Sequence, residues 1–431
     1  MDLTGHTAVE IAESVERSIR RGDLRPGALL PPIRALSADL EASHVTVATA
    51  YRRLRERGLV VGVGRAGTRV AAQPPLPVRQ EGAVPPGALD LLSGNPDPAL
   101  LPPIPRLEPQ RVLYGDDPKD PELVALVGAA YTADGIRPEH LTIVNGALDG
   151  IERVLAANLR PGDRVAVEDP TFTRVLDLLP ALGLRLEPVP IDQTGVRADA
   201  LHRALTRGVE ALILTPRAQN PAGAALDTGR TAELRRVLAE HPDVLVIEDD
   251  HAAGIAGTPA YSTCAGRDRW AVLRSFAKGL GPDLRVAALA GDETTVARVE
   301  GRLLLGMGWV SLSLQRTVAA MLGDPRTRKL LARAERIYTE RREALVEALA
   351  VHGIESWGRS GLNVWIPVER EAAIVAAMLA SGYAVAAGER FRLTSGPAIR
   401  ITTASLDPGE APTVAAALAA ALQGRARTYG A

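Results

Sequence analysis

From about Leu89 onward the chain alternates short, almost continuously apolar runs with longer helical patterns, and this alternation constrains the fold more than any other feature. The runs Arg164-Val165-Ala166-Val167-Glu168, Ala211-Leu212-Ile213-Leu214-Thr215, Val244-Leu245-Val246-Ile247-Glu248 and Ala287-Ala288-Leu289-Ala290 read as strands without a wet face. A strand that is apolar on both sides must be covered on both sides, and segments such as Asp227–Glu240, with helical patterning, lie between them. The expectation is an α/β domain with a mostly parallel central sheet. Domains of that kind bind ligands outside the carboxyl ends of their strands.

A chain of 431 residues at 46% hydrophobic exceeds one ordinary domain and can bury a sizeable core. Its composition divides it in three. Residues 1–72 hold eleven arginines against eight acids, and 52–69 hold six against one. The whole chain nevertheless carries only -1, which excludes a general basic coat. Residues 73–88 contain five prolines and two glycines, the composition of an extended tether. Residues 89–431 carry the strand–helix alternation, with a large part expected over about 89–325 and a small C-terminal part over about 326–425. A lone cysteine (Cys264), a polar N-terminus and no membrane-length apolar run predict a soluble cytoplasmic protein without membrane association.

The arginine-rich segment has its own order. An amphipathic helix is expected over 7–21, then short helices over 33–40 and 45–58 with Ser43 able to cap the second. Strands 59–61 and 68–70 flank a glycine-rich tip that carries Arg65. Helix, helix-turn-helix and two-stranded wing is the order of a winged helix-turn-helix, mainly α with a small β wing, whose second short helix enters the major groove of double-stranded DNA. The runs Leu30-Pro31-Pro32-Ile33-Arg34-Ala35-Leu36, Val45-Thr46-Val47-Ala48-Thr49-Ala50-Tyr51-Arg52-Arg53-Leu54 and Gly67-Thr68 resemble the GntR-type DNA-binding domain. The resemblance implicates Arg34, Ser43, Thr46, Thr49, Arg52 and Gly67 in DNA contact, with His44, Arg65 and Thr68 beside them. His44 stands where an arginine is common in that family, and Tyr51 and Leu54 read as core.

The chain has three lysines, Lys119, Lys278 and Lys329, against 47 arginines. An arginine cannot lose its proton to form an imine with an aldehyde, whereas a desolvated lysine can, so Lys278 suggests a pyridoxal-phosphate site; an ordinary surface lysine is the alternative. Such a site needs a carboxylate for the pyridine nitrogen, and Val246-Ile247-Glu248-Asp249-Asp250 ends an apolar strand in acids. It needs donors for phosphate, offered by Gly146 and Ala147 at a helix start and by Ser275 and Arg285 around the lysine. Asn220 offers a donor to the phenolate oxygen, and Arg400 a partner for an amino-acid carboxylate.

In this order the residues resemble the fold-type I, class I aminotransferases over roughly 89–425. The resemblance implies Lys278 as the Schiff-base lysine and Asp249 at the pyridine nitrogen. It also implies Phe172 stacked on the ring and Tyr114 reaching the phosphate of a neighbouring subunit, hence a homodimer. His251 replaces the tyrosine usual there; an imidazole can still donate to the phenolate oxygen, but the change bears on turnover more than on binding. No metal is expected. The two halves and the tether together resemble the MocR subgroup of GntR-type regulators. That implies a dimeric transcription factor using pyridoxal phosphate, alone or with a small amine or amino-acid effector. An active aminotransferase with a DNA-binding appendage is the alternative, and a regulator that has lost its cofactor is a third.

Overall fold

The computed structural model describes residues 3–56, 58–62, 67–71, 84–108 and 110–424. Arg65 and residues 73–83 of the expected tether lie outside the described residues. The described residues form two compact units, each with its own core.

The N-terminal unit contains α1 (Ala8–Arg21), α2 (Ile33–Asp39), α3 (His44–Glu56) and a hairpin of β1 (Val60–Gly62) and β2 (Thr68–Val70). Thr7 and Glu10 cap α1 reciprocally, satisfying amides that the first turn leaves without helical partners. Ser43 Oγ accepts from Thr46 N at 3.0 Å and so starts α3 as expected. Ile11, Val15, Leu36, Val47, Tyr51, Leu54 and Val70 make one core. The Tyr51 hydroxyl donates to Pro31 O at 2.7 Å, and burial pushes its pKa up, so this tyrosine is structural. Gly67 turns the wing at φ +95°, a conformation costly to any residue with a β-carbon.

The second unit is built on an eight-stranded sheet. Its strands are β4 (Leu141–Val144), β5 (Arg164–Asp169), β6 (Arg185–Asp192), β7 (Gly195–Val196), β8 (Ala211–Leu214), β9 (Leu245–Asp250), β10 (Trp270–Ser275) and β11 (Ala287–Gly291). Their order is β4-β11-β10-β9-β8-β5-β6-β7. The pairings β5·β8, β8·β9 and β9·β10 are parallel, whereas β11 runs antiparallel between β10 and β4. The strands β4, β8, β9, β10 and β11 are buried along their whole length. That is why they lack the apolar–polar alternation of a half-wet sheet.

A smaller four-stranded sheet has the order β12 (Asn363–Pro367), β14 (Ala398–Thr402), β13 (Tyr383–Ala387), β3 (Leu89–Leu91). Here the expected division needs a correction. Leu89–Leu91 was assigned to the large part, but it pairs in parallel with β13, so the first strand after the tether belongs to the small sheet. Three residues leave no periodicity to reveal which sheet they join. No helix among the described residues is long and apolar enough to cross a membrane.

Candidate functional site

Because β4, β5, β8, β9 and β10 run the same way, their carboxyl ends meet at one edge, and a cavity of about 230 Å³ opens there. Ala147, Phe172, Asn220, Asp249, His251, Ser275, Lys278 and Arg285 all line it, although they span 139 positions of sequence from first to last. Each lies at or after a strand end. Ala147 begins a helix after β4, Phe172 follows β5, and Asn220 lies in the loop after β8. Asp249 is in the last turn of the β9 pleat, Ser275 closes β10, and Lys278 sits in the helical turn Ala277–Leu280 directly after it.

Successive side chains of a strand point to opposite faces, so the three acids of β9 have separate fates. Glu248 accepts from the amide and hydroxyl of Thr263. Asp250 is held by Arg217 at 2.8 and 2.9 Å and by Arg274 at 3.0 Å. Burial works against its charge, but the two guanidinium groups outweigh burial and keep its carboxyl below the usual range. Arg274 also pairs with Asp134 and lies over the Tyr131 ring at 4.6 Å. Asp249 alone faces the cavity; its Oδ1 is buried without a hydrogen-bond partner. Burial, and then the charge of Asp250, push its pKa up to about 7.

Lys278 Nζ donates to the carbonyl of Gly94. A β-carbon on Gly94 would lie 4.0 Å from Lys278 Nζ and 3.9 Å from Arg400 Nη1, ordinary van der Waals contact, so both cations lie close to this residue. Arg285 has φ +49°, a backbone state that costs a non-glycine residue about 1–2 kcal/mol and is found at sites that need a side chain placed. Its guanidinium crowds Gly146, where a β-carbon would come within 3.2 Å of Nη2. Gly146, the cap of the helix Ala147–Asn158, thereby brings an arginine to a helix N-terminus, an arrangement suited to an anion.

Three expectations change in detail. Arg400 is fully buried and is absent from the cavity lining; it donates to Asn220 Oδ1 at 2.9 Å and to Leu92 O, and stacks 4.7 Å over Phe391. Asn220 therefore has its oxygen held by Arg400, which leaves its amide nitrogen as the donor for a ligand. His251 lines the cavity, but its Nε2 lies 2.9 Å from the Ala218 carbonyl. Burial, then the charge of Lys278, push its pKa down to about 4, so the ring is neutral and its one proton engages that carbonyl. In this arrangement His251 Nε2 meets the Ala218 carbonyl rather than standing open to a phenolate oxygen. Tyr114 is 95% exposed and packs edge-on against Trp309 at 5.8 Å, away from its own chain's cavity.

On the N-terminal unit, Arg34, Ser43, His44, Arg52 and Gly67 are exposed, and Thr46, Thr49 and Thr68 are half-buried. The sequence reading missed Val45, which is 75% exposed at the start of α3 and has no core to serve. It also missed Gly94, Arg217 and Asp134, whose roles depend on contacts between distant segments.

Comparison with known proteins agrees with this geometry. Residues 7–70 match the family of bacterial regulatory proteins of the gntR type, and residues 114–418 match the aminotransferase class I and II family. The chain belongs to the GntR-type transcriptional regulators fused to an aminotransferase domain, the MocR group. It is 41% identical over 429 residues, 97% of this chain and 99% of the relative, to the vitamin B6 salvage pathway transcriptional repressor PtsJ of Salmonella typhimurium. It is 30% identical over 361 residues, 79% of this chain and 78% of the relative, to the pyridoxine biosynthesis transcriptional regulator PdxR of Corynebacterium glutamicum. Its fold is similar to that of the α-aminoadipate aminotransferase LysN of Thermus thermophilus, solved with N-(5'-phosphopyridoxyl)-L-leucine. That match has a TM-score of 0.67 at 23% identity and covers 79% of this chain and 93% of the other.

The aminotransferase domain implies pyridoxal phosphate, and the residues present fit it. The buried Asp249 Oδ1 lacks a partner that a protonated ring nitrogen would supply. Gly146 and Arg285 form an anion cradle that a β-carbon would crowd, and a lysine stands in the same cavity.

Proposed function

We propose that this protein is a transcriptional regulator whose DNA binding responds to pyridoxal phosphate, alone or with an amino compound, held in the cavity around Lys278. The observation that carries the reading is the buried, unpartnered Asp249 carboxylate in one cavity with Lys278 and Arg285. Bound there, pyridoxal phosphate would supply an aldehyde carbon able to bond an amine and a ring able to store negative charge. Lys278 would provide that amine, Asp249 would hold a proton on the ring nitrogen, and Phe172 would cover the ring face. Gly146, Ala147, Ser275 and Arg285 would hold the phosphate, and Asn220, fixed by Arg400, would donate to the ring oxygen.

The working boundaries are a DNA-binding domain at 1–72, a tether at 73–88 and the sensor domain at 89–431. The protein works as a cytoplasmic homodimer, a reading supported by the exposed Leu113, Tyr114, Leu304 and Leu305. Their exposure on a soluble chain calls for a cover. DNA contact rests on α3 and the wing, with the names of the two curated relatives pointing to genes of vitamin B6 metabolism.

Purified protein mixed with pyridoxal phosphate should gain a visible absorption band that Lys278→Ala removes, and should bind its own or adjacent promoter in a salt-sensitive manner. A wild-type protein that takes up no pyridoxal phosphate ends this reading. Turnover of amino acid and 2-oxo acid over many cycles would instead favour the aminotransferase reading.

A further inference from the structure

Two histidines and a glutamate from separate helices meet on the surface of the second unit. His202 lies in the last turn of the helix Ala198–Leu205, whose Ala200, Leu201, Ala204 and Leu205 are buried while His202 is exposed. Glu240 is the C-cap of the helix Thr228–Ala239, and His241 follows it. One nitrogen of each ring and one carboxylate oxygen of Glu240 all lie within 4.8 Å of one another. His202 Nδ1 stands 3.9 Å from Glu240 Oε2, and the two rings are inclined at 65° with centroids 6.5 Å apart, so they are not stacked. Nothing in the sequence, where the two histidines stand 39 positions apart, signals this cluster.

The surroundings favour a cation. A helix ends in carbonyls that lack helical partners and carry a partial negative charge, and both helices end here. A glutamate at such an end is opposed by the helix dipole unless a cation joins it. The arginines nearest His202 in sequence are already matched, Arg203 by Asp199 at 2.9 Å and Arg207 by Glu187. The turn that carries Glu240 and His241 is braced from within. The buried Arg267 donates to Leu238 O at 2.8 Å, His241 O at 3.0 Å and Val244 O at 2.6 Å. An exposed His–Glu ion pair by itself contributes little and makes no use of His241.

We propose that His202, Glu240 and His241 form a site for a divalent ion of the zinc class, which would pin one helix end to the other with water completing its shell. Two imidazoles and a carboxylate suit zinc, whereas magnesium and calcium take oxygen ligands. Ligand atoms about 2.1 Å from a tetrahedral ion stand roughly 3.4 Å from each other, so the three groups must close in by roughly 1 Å. His202 and Glu240 are exposed, and side-chain rotation at the surface supplies that movement. None of the three lines the cavity, so the inference stands apart from the pyridoxal reading.

Calorimetric titration of metal-stripped, full-length protein with zinc chloride, read against magnesium chloride, tests the site. The wild type is expected to take up one zinc ion per chain, equally with and without pyridoxal phosphate, and to show no magnesium binding. His202→Ala and His241→Ala should each weaken zinc at least about tenfold, since even an outer partner of a metal ligand is worth that much. Glu240→Gln keeps one weaker ligand oxygen and should weaken it less. Zinc should also raise the melting temperature of the wild type, because an ion held only by the folded chain stabilises it, and neither histidine variant should show that rise. No zinc uptake, uptake that both histidine variants leave unchanged, or equal binding of magnesium each overturns the proposal. Uptake that requires pyridoxal phosphate places the ion elsewhere and overturns it as well. Should one histidine variant fail to fold, the other decides in the same way.

Discussion

The surface of α3 and the cavity beyond the strand ends place charged and polar groups under opposite conditions. At and just before α3, Ser43, His44 and Arg52 stand in water at the surface of a small helical core. In the cavity, Asp249 is buried with one oxygen unpartnered, and its pKa rises to about 7. Exposed cations act through a field that salt screens within about a Debye length, on the order of 8–10 Å at physiological ionic strength. Buried groups are not screened in this way, so their protonation state depends on the few groups that touch them. The difference teaches where each half is vulnerable: the helix to ionic strength, the cavity to pH and to loss of a single partner.

The largest expected effect is at Lys278. Lys278→Ala should abolish the pyridoxal-dependent absorption band while leaving apo-protein binding to DNA within a few-fold of wild type, measured by anisotropy. A simultaneous loss of both would break the separation between the halves.

Asp249 follows. The unfolded chain loses this proton near 3.8, whereas the fold retains it until about 7. Between those values the folded state binds more protons than the unfolded state, so this group lowers stability as pH rises from about 4 to about 7. Asp249→Asn should therefore make the apo-protein more stable than wild type above pH 7, on the order of 2–4 kcal/mol. The advantage should vanish toward pH 4, and thermal melts across that range test it. The same variant should bind pyridoxal phosphate more weakly. A pH-independent difference would sink the assignment of Asp249 as the high-titrating group.

Arg34→Ala should cost about 1–3 kcal/mol of DNA binding and reduce the slope of log affinity against log salt by about one. Cofactor uptake should barely respond to the same salt series. An Arg34→Ala protein with an unchanged slope would remove this residue from the phosphate contacts.

Ser43→Ala is the smallest. Loss of the 3.0 Å cap on Thr46 N should destabilise the N-terminal unit by about 1 kcal/mol. Differential scanning calorimetry should find that change in the N-terminal unit's transition and none in the other.

How much could be read in advance also differs between the halves. The helix-turn-helix was legible because its signals are local: Ser43 before α3, a glycine at the wing, and apolar spacing along α1. Four strands of the large sheet, β5, β8, β9 and β11, were legible for the same reason, each holding a short apolar run, whereas β6, β7 and β10 were not. Eight residues of the cavity lining were also anticipated, since they lie at or after strand ends whose direction a parallel sheet dictates. The engagement of those residues was not. Nothing local separates Asp249 from Asp250, yet Arg217 and Arg274 neutralise only the latter. Nothing at position 251 foretold that Ala218 would take the imidazole proton. Leu89–Leu91 carries no sign of the sheet it joins.

By itself the sequence determined the apolar runs that become β5, β8, β9 and β11, that the N-terminal unit has the order of a winged helix, and that lysine is rare, three against 47 arginines. Apolar period, capping residues and composition are properties of neighbouring residues, so they survive without coordinates. Only the tertiary structure decided which carboxylate is left to meet a ligand, where Arg400 spends its guanidinium, and that Asp169 clasps a strap more than 220 positions away. Those outcomes depend on which buried polar groups find partners across the fold. A buried group's charge and orientation are set by those partners and not by its neighbours in the chain.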